Sequence, residues 1–149
     1  TMAPRVKEGK VRVTQNSRGV TVEINASVLF DPGEASLMPD SREALTALAV
    51  LLKDDHHAVQ VEGHTDVTPI SNALFPSNWE LSAVRASSVV RLFVDRGVAA
   101  GRLSLVGHGA NIPVASNDTP EGKARNRRVT VTILSALPDA TTEIPAASQ

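Results

Sequence analysis

The segment Val59–Asp66, with the sequence VQVEGHTD, places alternating apolar residues directly before a glycine and an aspartate. Val59 and Val61 alternate with polar residues, which is typical of a strand with one buried face, and we predict a strand over residues 57–62. Asp66 then lies just past the exit of this strand. An isolated aspartate in this position is commonly a turn residue, whose carboxylate bonds nearby backbone amides.

A helix that begins near Ser77 is predicted to follow this strand. Ser77 and Glu80 have the spacing of a capping box, and Gly97 is a natural stop. Arg85 lies about two turns into the helix. It adjoins a predicted buried stripe of apolar residues, namely Leu81, Val84, Val89, Leu92 and Phe93. We therefore expect Arg85 to be partly desolvated and to need an anionic partner.

Asp66 and Arg85 together predict a pocket for a ligand that carries both charges. A strand exit that faces an early helical turn is a place where a pocket forms. A carboxylate can hold an ammonium group, and an arginine fork can hold a carboxylate through two hydrogen bonds. The alternative is an internal salt bridge between Asp66 and Arg85, or a solvent anion on Arg85, and either is compatible with later replacement by ligand.

The N-terminal part of the chain predicts a hairpin and a helix. Residues 11–14 and 20–24 alternate apolar and polar side chains around the turn residues 16–19. A helix is predicted over residues 40–54, with Asp40 as its cap. Its predicted apolar face is Leu45, Leu48, Leu51 and Leu52.

The C-terminal part adds two more strands, at residues 103–107 and 129–133, and a short helix after Pro120. Amphipathic helices that alternate with one-faced strands predict a two-layer α/β (α+β) sandwich. In this fold a mixed sheet carries its helices on one face, and the other face need not be covered. Trp79, at the start of the second long helix, is predicted to fill the core.

Composition limits the classes of function. A chain of 149 residues that is 42% hydrophobic suits one domain with its own core, and a net charge of −1 argues against nucleic acid as a partner. The absence of cysteine excludes disulfides and thiolate metal sites. Residues 1–4 show neither a signal core nor an apolar span, so we expect any membrane segment to lie outside these residues.

Catalytic and metal chemistry are weakly signalled. The four histidines are residues 56, 57, 64 and 108, and His64, Asp66 and His108 could form a set of two histidines and one carboxylate. Their spacing is not diagnostic, and we expect His64 to anchor the turn through its ring nitrogens. No glycine-framed nucleophile is present. The sequence therefore predicts a protein that is not an enzyme and holds no metal or cofactor.

Three motifs, in order, resemble the OmpA-like peptidoglycan-binding domain. They are GHTD at residues 63–66, N..LS..RA at residues 78–86 and NRR at residues 126–128. The resemblance covers roughly residues 20–135 and implies the fold of the OmpA C-terminal domain. The segments FPSNWELS, at residues 75–82, and NDTPEG, at residues 117–122, look like the MotB branch of this family.

The resemblance implies non-catalytic binding of the peptidoglycan peptide stem, anchoring a flagellar motor stator to the cell wall. Asp66 and Arg85 match the residues that clasp diaminopimelate in the family. The supporting contacts map to Asn78, Asn126 and Arg127, with Asp31 as a further position. Arg127 and Arg128 should point to opposite faces of the last strand, and the resemblance selects Arg127 for the pocket, with Arg128 solvated or paired with an acidic residue.

The resemblance also implies a setting for the domain. Residues 1–19 would be an N-terminal linker with the first hairpin strand, residues 20–135 the domain, and residues 136–149 a disordered tail. The whole would be the periplasmic part of an inner-membrane protein, a homodimer joined to a MotA-type stator subunit. The alternatives are a porin-type or lipoprotein-type cell-wall anchor and a metal-dependent cell-wall hydrolase. The loop between Asp66 and Asn78 is longer than in the common porin version.

Overall fold

The computed structural model describes residues 10–135 and 143–145. Five strands form one mixed sheet, and their bounds are β1 Val11–Asn16, β2 Gly19–Asn25, β3 Val59–His64, β4 Leu103–Gly107 and β5 Arg128–Leu134. The helices are α1 Ala26–Leu29, α2 Pro39–Lys53, α3 Asn78–Asp95 and α4 Pro120–Asn126, with a 3₁₀ turn at Ala100–Arg102. The predicted hairpin, both long helices, the short helix and the later strands are confirmed.

The sheet has the order β1-β2-β5-β3-β4, and only β3 and β4 run parallel. Its buried face is built from alternate residues of the two central strands, Val59, Val61, Val129 and Val131. The helices α2 and α3 pack against this face through Leu45, Ala49, Leu52, Val89, Leu92 and Phe93. The predicted two-layer arrangement, with both long helices on one face of a mixed sheet, is confirmed.

The C-terminal end of β3 lies between the start of β5 and the end of β4. His64, the last residue of β3, pairs with Arg128, the first residue of the antiparallel β5. The parallel strand β4 ends beside it, since Gly63 pairs with Gly107. The loop after β3, the loop after β4 and the junction between α4 and β5 therefore meet at this end of the sheet. They bring together residues that are far apart in the sequence.

The start and the buried face of α2 differ from the prediction. Met38 is the cap and Pro39 is the first helical residue, while Asp40 lies within the first turn. Proline suits this first position because its φ angle is preset and the missing amide donor is not needed there. Leu51, which was predicted to be buried, is 75% exposed, and Ala49 is buried on that face instead.

The capping box at the start of α3 is confirmed. The Ser77 hydroxyl accepts from the amide of Trp79 and donates to the Glu80 carboxylate. Within the helix, Val84 is exposed rather than buried, and Arg85 and Ala86 are buried instead. The helix ends before Gly97, which has a φ of +103°, as predicted.

The described residues contain no helix that is both long and apolar enough to cross a membrane. Residues 1–9 of the predicted N-terminal segment 1–19, and residues 136–142 and 146–149 of the predicted tail, lie outside the described part of the chain. The prediction for these segments stays a prediction.

Candidate functional site

Asp66 is buried at the edge where β3 ends, and both of its carboxylate oxygens have partners. Oδ1 accepts a hydrogen bond of 2.8 Å from the amide of Thr68, which makes Asp66 a turn residue as well as a charged one. Oδ2 accepts from Nη1 of Arg127 at 2.5 Å. The Arg127 side chain is 44% exposed, so this ion pair is open to solvent on one side.

Arg85 lies beneath this ion pair and is only 4% exposed. Its Nε donates to the carbonyl of Glu34 at 2.7 Å and its Nη2 to the carbonyl of Asp31 at 3.4 Å. The guanidinium also lies over the Phe30 ring, 4.9 Å from its centroid. These three contacts hold the Arg85 guanidinium in one orientation, and none of them is made with an anion.

Burial, followed by the charge of Arg127, lowers the pKa of Arg85 to about 10, against the opposing effects of Asp66 and Glu34. The guanidinium therefore stays charged at neutral pH. The alternative internal salt bridge between Asp66 and Arg85 is not formed. Arg127 pairs instead with Oδ2, the Asp66 oxygen that the amide of Thr68 does not use. The result is a buried positive charge whose two hydrogen bonds end on neutral carbonyls, next to a paired carboxylate.

Asn78 and Asp31 lie at the same site in different roles. The Asn78 amide donates to the backbone carbonyls of Asp66, at 3.4 Å, and Thr68, at 3.0 Å, so it closes the turn that follows β3. Asp31 contributes its carbonyl to Arg85, while its side chain is exposed. Asp66, Arg85, Asn78, Arg127 and the Asp31 backbone are thus brought together.

Asn126 is not part of this group, which corrects the assignment made from the sequence. Its side chain is fully buried, accepts from the amides of Val114 and Ala115, and donates to the Ala115 carbonyl and the Asn117 side chain. All four hydrogen-bonding positions of the amide are used within the protein. Asn126 therefore shapes the loop before α4 and does not reach a ligand.

Arg128 points away from the site, as the alternation along β5 predicts, but it is buried, and none of the described acidic residues forms an ion pair with it. It is buried and donates to the backbone carbonyls of Asn126, at 3.0 Å, and Ile112, at 2.9 Å. Burial is the main cause that lowers the pKa of Arg128. Arg128 thus braces the same loop as Asn126.

A cleft of about 320 Å³ lies beside the Asp66 turn. Trp79, predicted to fill the core, is instead 58% exposed and lines this cleft. The other lining residues are Val67, Pro69, Ile70, Ser77, Asn78, Gly109, Ala110 and Asn111. The helical spacing of apolar residues could not predict this cleft. Its walls come largely from the long loop after Asp66 and the turn after β4.

Two of the four histidines, His64 and His108, form a group with Glu62 on the sheet face away from α2 and α3. The rings of His64 and His108 stack with centroids 4.7 Å apart, and His108 Nε2 lies 2.7 Å from a carboxylate oxygen of Glu62. Among the described residues, the buried His64 Nδ1 has no hydrogen-bond partner, which contradicts the prediction that His64 anchors the turn through its ring nitrogens. Burial, together with the charges of Arg128 and His108, lowers the pKa of His64 to about 3.

The mixed sheet thus carries a buried carboxylate, Asp66, and a buried guanidinium, Arg85, at one end, next to an open cleft. The OmpA family model matches residues 29–127. The chain belongs to the OmpA family.

The chain is similar to several cell-envelope proteins. It is 35% identical over 132 residues to motility protein B of Bacillus subtilis, covering 85% of this chain and 49% of that protein. It is 39% identical over 124 residues to the probable lipoprotein YiaD of Escherichia coli, covering 83% of this chain and 55% of that protein. The chain thus spans about half the length of these relatives.

Among solved structures, the cell wall anchor of the type VI secretion system (T6SS) from Pseudomonas aeruginosa is similar, with a TM-score of 0.82 and 35% identity. The match covers 90% of this chain and 94% of that one. The fold described above is therefore shared with an anchor protein of the cell wall.

Proposed function

We propose that this domain binds the peptide stem of peptidoglycan through its diamino acid and so anchors an attached protein to the cell wall, without catalysis. The observation that carries the proposal is the pair of opposite charges at the end of β3, Asp66 and Arg85. Each is buried, and they are held by different elements. Relatives named as a motility protein, and a solved structure named as a cell wall anchor, support it.

Binding would proceed by exchange of ion-pair partners. The ammonium group at the far end of diaminopimelate would replace Arg127 on the outer oxygen of Asp66. Arg127, half-exposed, would then be released toward a ligand carboxylate or carbonyl. Hydrogen bonds to the carbonyls of Glu34 and Asp31 already orient the Arg85 guanidinium. Arg85 would therefore bind the carboxylate of diaminopimelate without a further loss of side-chain entropy.

The cleft beside Trp79 supports a ligand that is larger than one amino acid. Its lining combines apolar side chains with the amides of Asn78 and Asn111. Such a surface suits the peptide groups and methyl groups of neighbouring stem residues, which need hydrogen bonds and apolar contact together. The long loop after Asp66 would thus extend the site.

The far carboxylate of diaminopimelate gives a test of this assignment. A stem tripeptide with lysine in the same position lacks only that carboxylate, so Arg85 would be left without an anion. We expect the lysine peptide to bind more weakly by about 1–3 kcal/mol, or roughly 5- to 150-fold. Titration calorimetry with the two tripeptides measures this difference, and equal affinities would contradict the role given to Arg85.

We infer that the attached apparatus is a flagellar stator, in which this domain is periplasmic, dimeric and joined to a MotA-type subunit through an inner-membrane segment. The FPSNWELS segment supports this choice over a porin-type or lipoprotein-type anchor, and the similarity to motility protein B is compatible with it. Deletion of the gene should stop swimming while flagella still assemble, as scored in soft agar and by electron microscopy. Unchanged swimming would favour the lipoprotein-type anchor.

A further inference from the structure

Three side chains that can bind metal ions meet where β3 and β4 end. Glu62 and His64 are two residues apart on β3 and therefore face the same side of the sheet. His108 directly follows the parallel strand β4 and lies beside His64, because Gly63 pairs with Gly107. One ligand atom of each of the three side chains lies within 4.8 Å of the others.

This donor set matches a transition metal. Two imidazoles and one carboxylate are ligands of Zn²⁺, with bonds of about 2.0–2.2 Å, which places neighbouring ligand atoms roughly 3.3 Å apart in a tetrahedral site. The rings of His64 and His108 now stack nearly parallel, so at least one ring must rotate about its χ angles to aim a nitrogen at an ion that both share. We propose that Glu62, His64 and His108 bind a divalent transition-metal ion, with Zn²⁺ as the best match, at a site separate from Asp66 and Arg85.

The hydrogen bonding of Glu62, His64 and His108 supports a metal ion as a further partner of the group. His64 is only 4% exposed, and its Nδ1 has no hydrogen-bond partner within residues 10–135 and 143–145, which is unusual for a buried polar atom. His108 Nε2 and Glu62 Oε2 lie 2.7 Å apart, which is the distance of a hydrogen bond with one proton between the two atoms. A metal ion would replace that proton between the two atoms and give the His64 ring a ligand.

Access and charge define what kind of site this is. The side chains of His108 and Glu62 are 21% and 14% exposed, so an ion can enter from solvent on the open face of the sheet. Three protein ligands would leave one position for water. The nearby charge of Arg128 opposes a further cation, so we expect an affinity below that of zinc sites built only from histidine and cysteine.

The ion would also tie the ends of β3 and β4 together. At present, beyond the last pair of the ladder, the amide of Thr65 donates to the carbonyl of Gly109 at 2.8 Å and that of His108 to Gly63 at 3.0 Å. A metal bound to side chains of both strands adds a third connection directly before Asp66. Binding to the folded state alone should therefore raise the thermal midpoint of unfolding.

Zinc calorimetry on the chain without a polyhistidine tag tests the proposal. We expect one Zn²⁺ per chain, at least tenfold weaker binding in Glu62→Gln and His108→Phe, and a rise in thermal midpoint that these variants lose. His108→Phe retains a ring that can stack on His64, so folding should persist, as circular dichroism would verify. The control is His57→Phe, which removes the exposed imidazole that pairs with Asp55.

Three results would overturn the proposal. The first is the absence of one-to-one zinc binding by the unaltered chain. The second is unchanged zinc binding in His108→Phe. The third is binding that is lost in His57→Phe, which would locate the ion at the end of α2 instead.

Discussion

Replacing Asp66 with asparagine should weaken binding of a diaminopimelate-containing stem peptide by about 2–5 kcal/mol, which is at least about thirtyfold. The variant removes the only negative charge in direct contact with the proposed ammonium position, so a buried ammonium would be left unpaired. It retains an oxygen that can accept from the amide of Thr68, so the turn after β3 should persist. Calorimetry with the soluble tripeptide measures the loss.

Asp54→Asn is the matched control, because it removes one carboxylate from the exposed C-terminal end of α2, opposite the exit of β3. We expect its affinity to equal that of the unaltered chain. An Asp66→Asn variant that is folded by circular dichroism and binds as tightly as the control would contradict the proposed ammonium position.

Replacing Gly63 with alanine should destabilise the fold by about 3 kcal/mol or more, at the upper end of the range for overpacked cores. A Cβ atom at this position would lie 2.1 Å from the backbone carbonyl oxygen of Ser82 and 2.9 Å from its carbon. Because that neighbour is helix backbone, it cannot rotate away, and α3 would have to move off β3. The close approach also sets the separation of Asp66 from Arg85.

Gly101→Ala is the control for this prediction, since a Cβ there would meet no atom within 4 Å. Urea unfolding of the two variants gives the comparison. A free energy of unfolding for Gly63→Ala within about 0.5 kcal/mol of the unaltered chain would show that α3 adjusts freely, against the tight packing described here.

Local patterns in the sequence predicted the elements that hold the site. Alternation identified β3, and the spacing of Ser77 and Glu80 identified the start of α3, because strands and capping boxes depend on residues near in sequence. The position of Arg85 two turns into α3 followed directly. The errors at Leu51 and Val84 arose because helical periodicity gives the buried stripe only approximately, and the tertiary packing of each helix decides its edges.

The partners of the charged residues could not be predicted in this way. Arg85 donates to a backbone carbonyl 51 residues away, and Asp66 pairs with Arg127 at a separation of 61 residues. Carbonyl acceptors carry no sequence signal, because every residue has one. The role of Asn126 was missed for the same reason, since three of its four hydrogen bonds end on backbone atoms.

The histidine group shows a signal that could have been used. Glu62 and His64 are two residues apart on a predicted strand, so they must share a face, whereas Asp66 lies beyond the strand end. In the alternative set of His64, Asp66 and His108, the carboxylate does not join the two histidines, because Asp66 turns toward Arg127. Alternation along β3 selects Glu62 instead.

The central claim is that this domain binds the cell wall through the diamino acid of the peptide stem, and one sedimentation experiment tests it most directly. The unaltered chain is centrifuged with insoluble peptidoglycan sacculi that contain diaminopimelate, with and without an excess of free diaminopimelate. We predict that the chain pellets with the sacculi and that free diaminopimelate returns it to the supernatant. A chain that stays in the supernatant, or that pellets equally in both tubes, would contradict the account.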